Sequence, residues 1–295
     1  MYKKLKCKAL EANLKLKEYG LVLFTWGNAS QLDPERRFMA IKPSGVRFED
    51  LTYESMCVLD LADGSVVEGA LNPSTDAQTH LEIYRHFSDV YGIVHTHSTY
   101  ATAYAQAGQG IKCFGTTQAD YFYGEIPCTR ELSPEEIDGD YEFNTGRLIV
   151  KEFQTYARDP LAIPGTLVYG HGPFAWGRDA ADAAANAAYL EESAHLAFLT
   201  EQIALKQFIY KQCNLDQNGI GHRTLWQHTI LQHDIKMLPP EGEEAEDNNQ
   251  AGDAPEVETI KGFTPVSQKL LDRHYTRKHG SGAYYGQAPA KNRAD

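Results

Sequence analysis

Between Leu21 and Glu68 short apolar runs alternate with turn residues too quickly for helices, and this punctuation constrains the fold most. Leu21 to Thr25 reads as an extended run broken by Gly27-Asn28-Ala29-Ser30, and Phe38 to Ile41 as a strand stopped by Lys42-Pro43-Ser44-Gly45. Met56 to Leu61 is a third strand, turned by Asp63-Gly64 before Val66 to Glu68. An Asp-Gly step between two such runs signals a hairpin, so neighbouring strands run antiparallel. Tyr91 to His97 and Thr166 to Tyr169 add strands. Helical periodicity marks residues 3 to 19, Thr79 to Phe87, Thr99 to Ala107, Gly146 to Ala157, Asp179 to about Phe208, and Val266 to Lys278. The order predicts a mixed α/β chain around a largely antiparallel sheet rather than repeated βαβ units. No G-x-G-x-x-G or Walker sequence is present, which lowers the expectation of a dinucleotide or nucleoside-triphosphate fold.

A net charge of -12 over 295 residues argues against a nucleic-acid surface. The charge is concentrated: no Lys or Arg lies between Lys236 and Lys261, while Glu241, Glu243, Glu244, Glu246, Asp247, Asp253, Glu256 and Glu258 fall in that gap. Residues from about 209 to 262 therefore read as an acidic, polar insertion. Cys7, Cys57, Cys113, Cys128 and Cys213 form no CxxC pair and read as reduced thiols. With no signal-peptide core and no run long enough to span a bilayer, a cytoplasmic protein away from membranes is expected.

Chemistry concentrates in a few histidines. His95 and His97, in GIVHTHS, are two apart and would project to one side of an extended strand, a pairing that suits zinc or another borderline divalent ion. His171, between two glycines in VYGHGPFAWG, would complete a facial set, and Asp76 would add a carboxylate, either as a ligand or behind the ligands. The plain alternative is strand histidines packed against the core. His80 and His86 on a candidate helix, and His222, His228 and His233 in the variable segment, are given no role.

A second cluster reads as an anion receptor. Asn28 follows an extended run in TWGNAS, IKPSG offers Lys42, Ser44 and the Gly45 N–H, and NPSTD offers Ser74 and Thr75 just before Asp76. Hydroxyls and backbone donors in tight turns form nests for a phosphate, and a lysine adds a point charge. Each loop alone reads equally as ordinary turn chemistry. Asp120 sits among apolar and aromatic neighbours, where a buried carboxylate would titrate high. Tyr284 and Tyr285, like His274 and Arg277, admit structural and catalytic readings between which sequence physics does not choose.

Taken together, TWGNAS, IKPSGV, NPSTDAQTH, GIVHTHS, GTTQADYFYGEIPCTR, HGPFAWG and LLDRHYTRKHGSGAYYGQ resemble the class II aldolase/epimerase family, over about 1–205 and 263–287. The resemblance implies a three-layer α/β/α fold around a mixed, mostly antiparallel sheet, one domain over 1–295 interrupted at about 209–262. It implies that His95, His97 and His171 hold a divalent ion beside Asp76, zinc foremost and manganese or cobalt as substitutes. Asn28, Lys42, Ser44, Gly45, Ser74, Thr75 and Arg277 would receive the substrate, mainly its phosphate. Thr75 stands where serine is expected, and keeps the hydroxyl. Asp120 and Tyr285 would be the acid/base pair, with His274, Thr116 and Glu142 nearby. The implied assembly is a homotetramer whose sites are shared across subunit boundaries. The implied substrate is a phosphorylated ketopentose, L-ribulose 5-phosphate, epimerised to D-xylulose 5-phosphate. A family aldolase acting on a ketose 1-phosphate of the fuculose or rhamnulose type is the nearest rival, and a non-catalytic scaffold of the same fold a remote one.

Overall fold

The computed structural model describes residues 2–212 and 264–280. The chain divides into two compact units, Met1–Leu199 with Pro265–Asp295, and Thr200–Thr264. The expected insertion at about 209–262 falls almost wholly outside the described residues, as do Cys213, His222, His228, His233, Tyr284 and Tyr285.

The first unit is organised by one seven-stranded sheet. Its strands are β1 (Asn28–Leu32), β2 (Phe38–Ile41), β3 (Cys57–Asp60), β4 (Val66–Glu68), β5 (Gly92–His95), β6 (Gly165–Val168) and β7 (Gly172–Gly177), in the order β4-β3-β2-β1-β5-β7-β6. All six strand pairs are antiparallel, and a single bridge from Cys128 to Leu167 is parallel. The helices are α1 (Lys3–Glu18), α2 (Ala77–His86), α3 (Thr99–Gln106), α4 (Thr116–Ala119), α5 (Pro134–Asp138), α6 (Tyr141–Thr155), α7 (Ala180–Gln212) and α8 (Gln268–His279). They complete a three-layer α/β/α arrangement around the sheet. No helix among the described residues is long and apolar enough to cross a membrane.

Several expected elements differ. The first strand is not Leu21 to Thr25 but Asn28–Leu32, all five residues buried. The chain cannot stay extended before it, because Phe24 and Gly27 both take positive φ, 54° and 87°, and Leu23 and Phe24 face outward. Strand β7 falls at Gly172–Gly177, where the sequence reading placed no strand, and it lies between β5 and β6. Helix α6 begins at Tyr141, five residues before the expected start, because the Asp140 side chain accepts from the Phe143 N–H as an N-cap. The expected strand to His97 ends at His95, since Ser98 already precedes α3.

Apolar spacing sets the packing. Ala9, Ala12 and Leu16 of α1 recur at helical spacing and are buried. Asn13 of the same helix donates to Ala29 O at 2.9 Å and accepts from the Ala29 N–H, which pins α1 to β1 next to Asn28. Trp176 of β7 is fully buried against Phe87 and Phe153, at centroid distances of 5.4 and 5.1 Å. This packing leaves the end of β5 and the start of β1 facing a cavity.

Candidate active site

β1 and β5 pair with Asn28 opposite His95, so the strand start of one meets the strand end of the other. Glycines make the approach possible. A Cβ on Gly27 would lie 2.8 Å from His95 O, and one on Gly172 would lie 2.8 Å from Thr96 O. The His95–Thr96 backbone is thus gripped on two sides by positions that admit no side chain. His171 arrives on the three-residue tip between β6 and β7, which turns at Gly170 with φ 67°.

His95, His97 and His171 converge although His97 lies beyond the strand. One nitrogen from each falls within 4.8 Å of the others, and among the described residues they form the one such group. The ring centroids are 4.9 Å apart for His95–His97, 4.6 Å for His95–His171 and 5.1 Å for His97–His171. His95 stacks on Phe174 at 4.3 Å, and its Nδ1–H donates to Pro173 O at 3.0 Å. A carbonyl only accepts, so this bond fixes the tautomer and leaves the Nε2 lone pair for a ligand. His171 Nδ1 is buried with no hydrogen-bond partner among the described residues. Burial, and then the neighbouring His95, push the His171 imidazole down to about 3, and the same causes lower His97. Three imidazoles that converge with one nitrogen each within 4.8 Å of the others fit a divalent cation.

Asp76 stands beside this trio. Burial raises its carboxyl, but His95, His80, His171 and the Asn28 hydrogen bond outweigh that effect and hold it below the usual carboxylate range. Its Oδ2 accepts from Asn28 Nδ2 at 2.7 Å and from Ser74 Oγ at 3.4 Å.

The anion loops line the same cavity, of about 530 Å³. Ser74 N–H donates to Lys42 O at 3.0 Å and Ser44 N–H to Asn72 O at 2.9 Å, so the loops around 42–45 and 72–75 are zipped together. Gly45 turns at φ 69°. Lys42 is fully buried, donates to Thr25 O and Pro43 O at 3.2 and 3.3 Å, and has no carboxylate partner among the described residues. Burial pushes its ammonium down to about 8. A buried cation with no carboxylate partner among the described residues, beside hydroxyls and turn N–H groups, has the chemistry to accept an oxyanion.

The structure therefore brings together Asn28, Lys42, Ser44, Gly45, Ser74, Thr75, Asp76, His95, His97 and His171. It places the remaining described candidates elsewhere, and Tyr285 lies outside the described residues. Asp120 follows α4, where Arg277 of α8 meets both its carboxylate oxygens at 3.0 Å and His274 meets Oδ1 at 3.0 Å. His279 Nε2–H donates to Asp120 O at 2.9 Å. The apolar surroundings expected from sequence give way to an ion pair, because α8 folds back onto α4. Thr116 opens α4 and Glu142 lies in the first turn of α6, its carbonyl accepting from Thr79 Oγ1 at 2.6 Å; neither lines the cavity. Trp26 has no role in the sequence reading, although it neighbours Asn28; it lines the cavity with its ring 6.4 Å from His97.

This antiparallel sheet with a three-histidine centre at one strand end defines a class. Residues 7–198 match the family model described as class II aldolase and adducin N-terminal domain, and the chain belongs to that family as a catalytic member. It is 42% identical over 284 residues to the L-ribulose-5-phosphate 4-epimerase UlaF of Salmonella paratyphi A, covering 96% of this chain and 99% of the relative, and equally so to that of Salmonella typhi. Among solved structures, an L-fuculose 1-phosphate aldolase aligns with TM-score 0.57 at 25% identity, over 68% of this chain and 87% of that one. The L-fuculose-1-phosphate aldolase of Thermus thermophilus shares the fold, with TM-score 0.53 at 23% identity over 69% and 97%.

Proposed function

We propose that the chain is an isomerase interconverting L-ribulose 5-phosphate and D-xylulose 5-phosphate. One observation carries the reading: a three-histidine centre and a lysine-centred oxyanion receptor open into one cavity. The near-full-length identity to curated epimerases supports the same substrate.

C4 is not adjacent to the C2 carbonyl, so abstracting its proton gives no stabilised carbanion. Breaking the C3–C4 bond does. A base takes the C4 hydroxyl proton, and retro-aldol cleavage yields the enediolate of dihydroxyacetone and glycolaldehyde phosphate. His95, His97 and His171, with Asp76 beside them, would hold the ion, and three imidazoles suit zinc, with manganese or cobalt as substitutes. When bound, the ion supplies Lewis-acid stabilisation of negative charge on the ketose oxygens. Lys42, Ser44, Gly45, Ser74 and Thr75 keep the phosphate end in place while the aldehyde turns its other face, and re-addition inverts C4. Asp120 and Tyr285 are the acid/base pair, one for each face. Asp120, His274 and Arg277 do not line the cavity of their own chain, which supports a homotetramer whose sites are completed by a neighbouring copy.

The second reading is an aldolase acting on a ketose 1-phosphate, favoured by the fold match to L-fuculose 1-phosphate aldolase. Comparing kcat/KM on L-ribulose 5-phosphate and on L-fuculose 1-phosphate tests the choice. Preference for the 5-phosphate by about 10²-fold or more is expected; preference for the 1-phosphate would replace the epimerase with the aldolase.

A further inference from the structure

The turn before β1 shows apolar side chains to the outside. Leu23, Phe24 and Trp26 are 64%, 72% and 55% exposed. The backbone bends to hold them: the Trp26 N–H donates to Leu23 O at 3.0 Å, and Phe24 between them takes φ 54° without being glycine. Positive φ in a bulky residue is costly and persists where the surroundings over-determine it, most often at functional sites.

Two anchors fix the turn. Thr25 O accepts from the buried Lys42 ammonium at 3.2 Å, and Gly27 lies so close to the end of β5 that a Cβ there would meet His95 O at 2.8 Å. Trp26 stands between these anchors in the chain and lines the cavity, its ring 6.4 Å from that of His97. Phe24, which does not line the cavity, braces the indole edge-on at 5.3 Å. Among the described residues of the lining, Trp26 carries the one large apolar face. It sits where the trio and the Lys42 receptor meet.

The chemistry needs such a face at that place. Once the C3–C4 bond has broken, glycolaldehyde phosphate is anchored by its phosphate and must turn its aldehyde without leaving. Polar groups gripping the aldehyde would oppose the turn, whereas a flat apolar ring covers either of its faces alike. We propose that Trp26 retains this two-carbon fragment, covering it between cleavage and re-addition. The inference rests on the epimerase reading above and names the residue that decides how often the fragment is kept. When it is lost, the proton taken from the C4 hydroxyl is returned to the enediolate at C3, and dihydroxyacetone leaves beside glycolaldehyde phosphate.

The test uses the full-length, zinc-loaded protein with L-ribulose 5-phosphate and measures dihydroxyacetone released per D-xylulose 5-phosphate formed. Trp26→Ala should raise that ratio about fivefold or more, the scale of uncovering one face of two carbons, with zinc content unchanged. Trp26→Phe, which keeps a ring, should stay within about twofold of the unaltered protein. A ratio for Trp26→Ala that also stays within about twofold overturns the proposal, whatever happens to kcat. Binding separates this inference from the reading it rests on. In calorimetric titration, glycolaldehyde phosphate should bind Trp26→Ala about fivefold more weakly, while inorganic phosphate binds both proteins within about twofold. A protein that leaves L-ribulose 5-phosphate untouched, yet binds glycolaldehyde phosphate in this Trp26-dependent way, would sink the epimerase reading and leave the contact standing.

Discussion

The histidine trio with the neighbouring Lys42 and the Asp120 cluster are each built around buried polar residues, His95 and Lys42 in one and Asp120 in the other, and they differ in how those residues are engaged. At the trio, among the described residues, His171 Nδ1 has no hydrogen-bond partner and Lys42 no counterion, while His95 is aimed by Pro173. At Asp120 both carboxylate oxygens meet Arg277, Oδ1 also meets His274, and the backbone carbonyl accepts from His279. Unmet buried groups each cost about 1–3 kcal/mol, so the first region is built for something that binds. In the second, the Asp120 carboxylate is already engaged by Arg277 and His274 and would have to be released to act. The difference supports binding in the cavity, with acid/base groups supplied from outside it.

The largest effect should come from the trio. His97→Asn is expected to lose bound metal and activity together, by about 10³-fold in kcat/KM, checked by metal analysis and turnover. Full retention of both would remove the metal centre. Next, Tyr285→Phe and Asp120→Asn should each cost about 10²-fold in kcat while metal content persists. Mixing unfolded-and-refolded His97→Asn with Asp120→Asn sharpens the comparison further. Activity should reappear in mixed oligomers if the two regions meet across copies, and a mixture as inactive as its parts would confine the site to one chain.

Lys42→Met should raise KM about 10- to 100-fold with metal affinity unchanged, the scale of a charge-assisted hydrogen bond. Its titration gives a pH signature. The Lys42 ammonium is charged below about 8 and neutral above, so KM for the phosphosugar should climb as pH rises through that value. The sign for folding is opposite: the unfolded chain binds the extra proton between about 8 and 10.5, so this group alone makes the free protein more stable as pH rises. Smallest of all, deleting residues 240–258 should leave kcat/KM within about twofold; dissociation of the oligomer would assign that stretch an assembly role.

Much of this was legible in the chain. Turn chemistry at Asp63-Gly64 gave the hairpin of β3 and β4, and helical spacing gave α1, α2, α3, α7 and α8. The trio was legible because two histidines two apart stand close in the chain and the glycines around His171 announce a turn, although β5 ends at His95 and the strand periodicity expected to align His97 is not what brings it in. What escaped was set by tertiary partners. Asn28–Leu32 carries three polar residues in five, too many for a buried strand until Asp76 answers Asn28, His80 answers Ser30, and the Tyr91 carbonyl and Ala180 N–H answer Gln31. β7 hid behind Gly172 and Pro173, residues that punctuate loops elsewhere but here let the backbone approach Thr96. The partners of Asp120 lie about 150 residues away on α8, beyond any local pattern.

The most direct measurement follows two products at once. Metal-stripped and zinc-reloaded protein would be incubated with L-ribulose 5-phosphate, and both D-xylulose 5-phosphate and free glycolaldehyde phosphate quantified. Zinc-dependent formation of the epimer without accumulation of the aldehyde is the predicted result. Free aldehyde appearing in step with loss of ketose, or epimer formed equally by the stripped protein, would contradict the account.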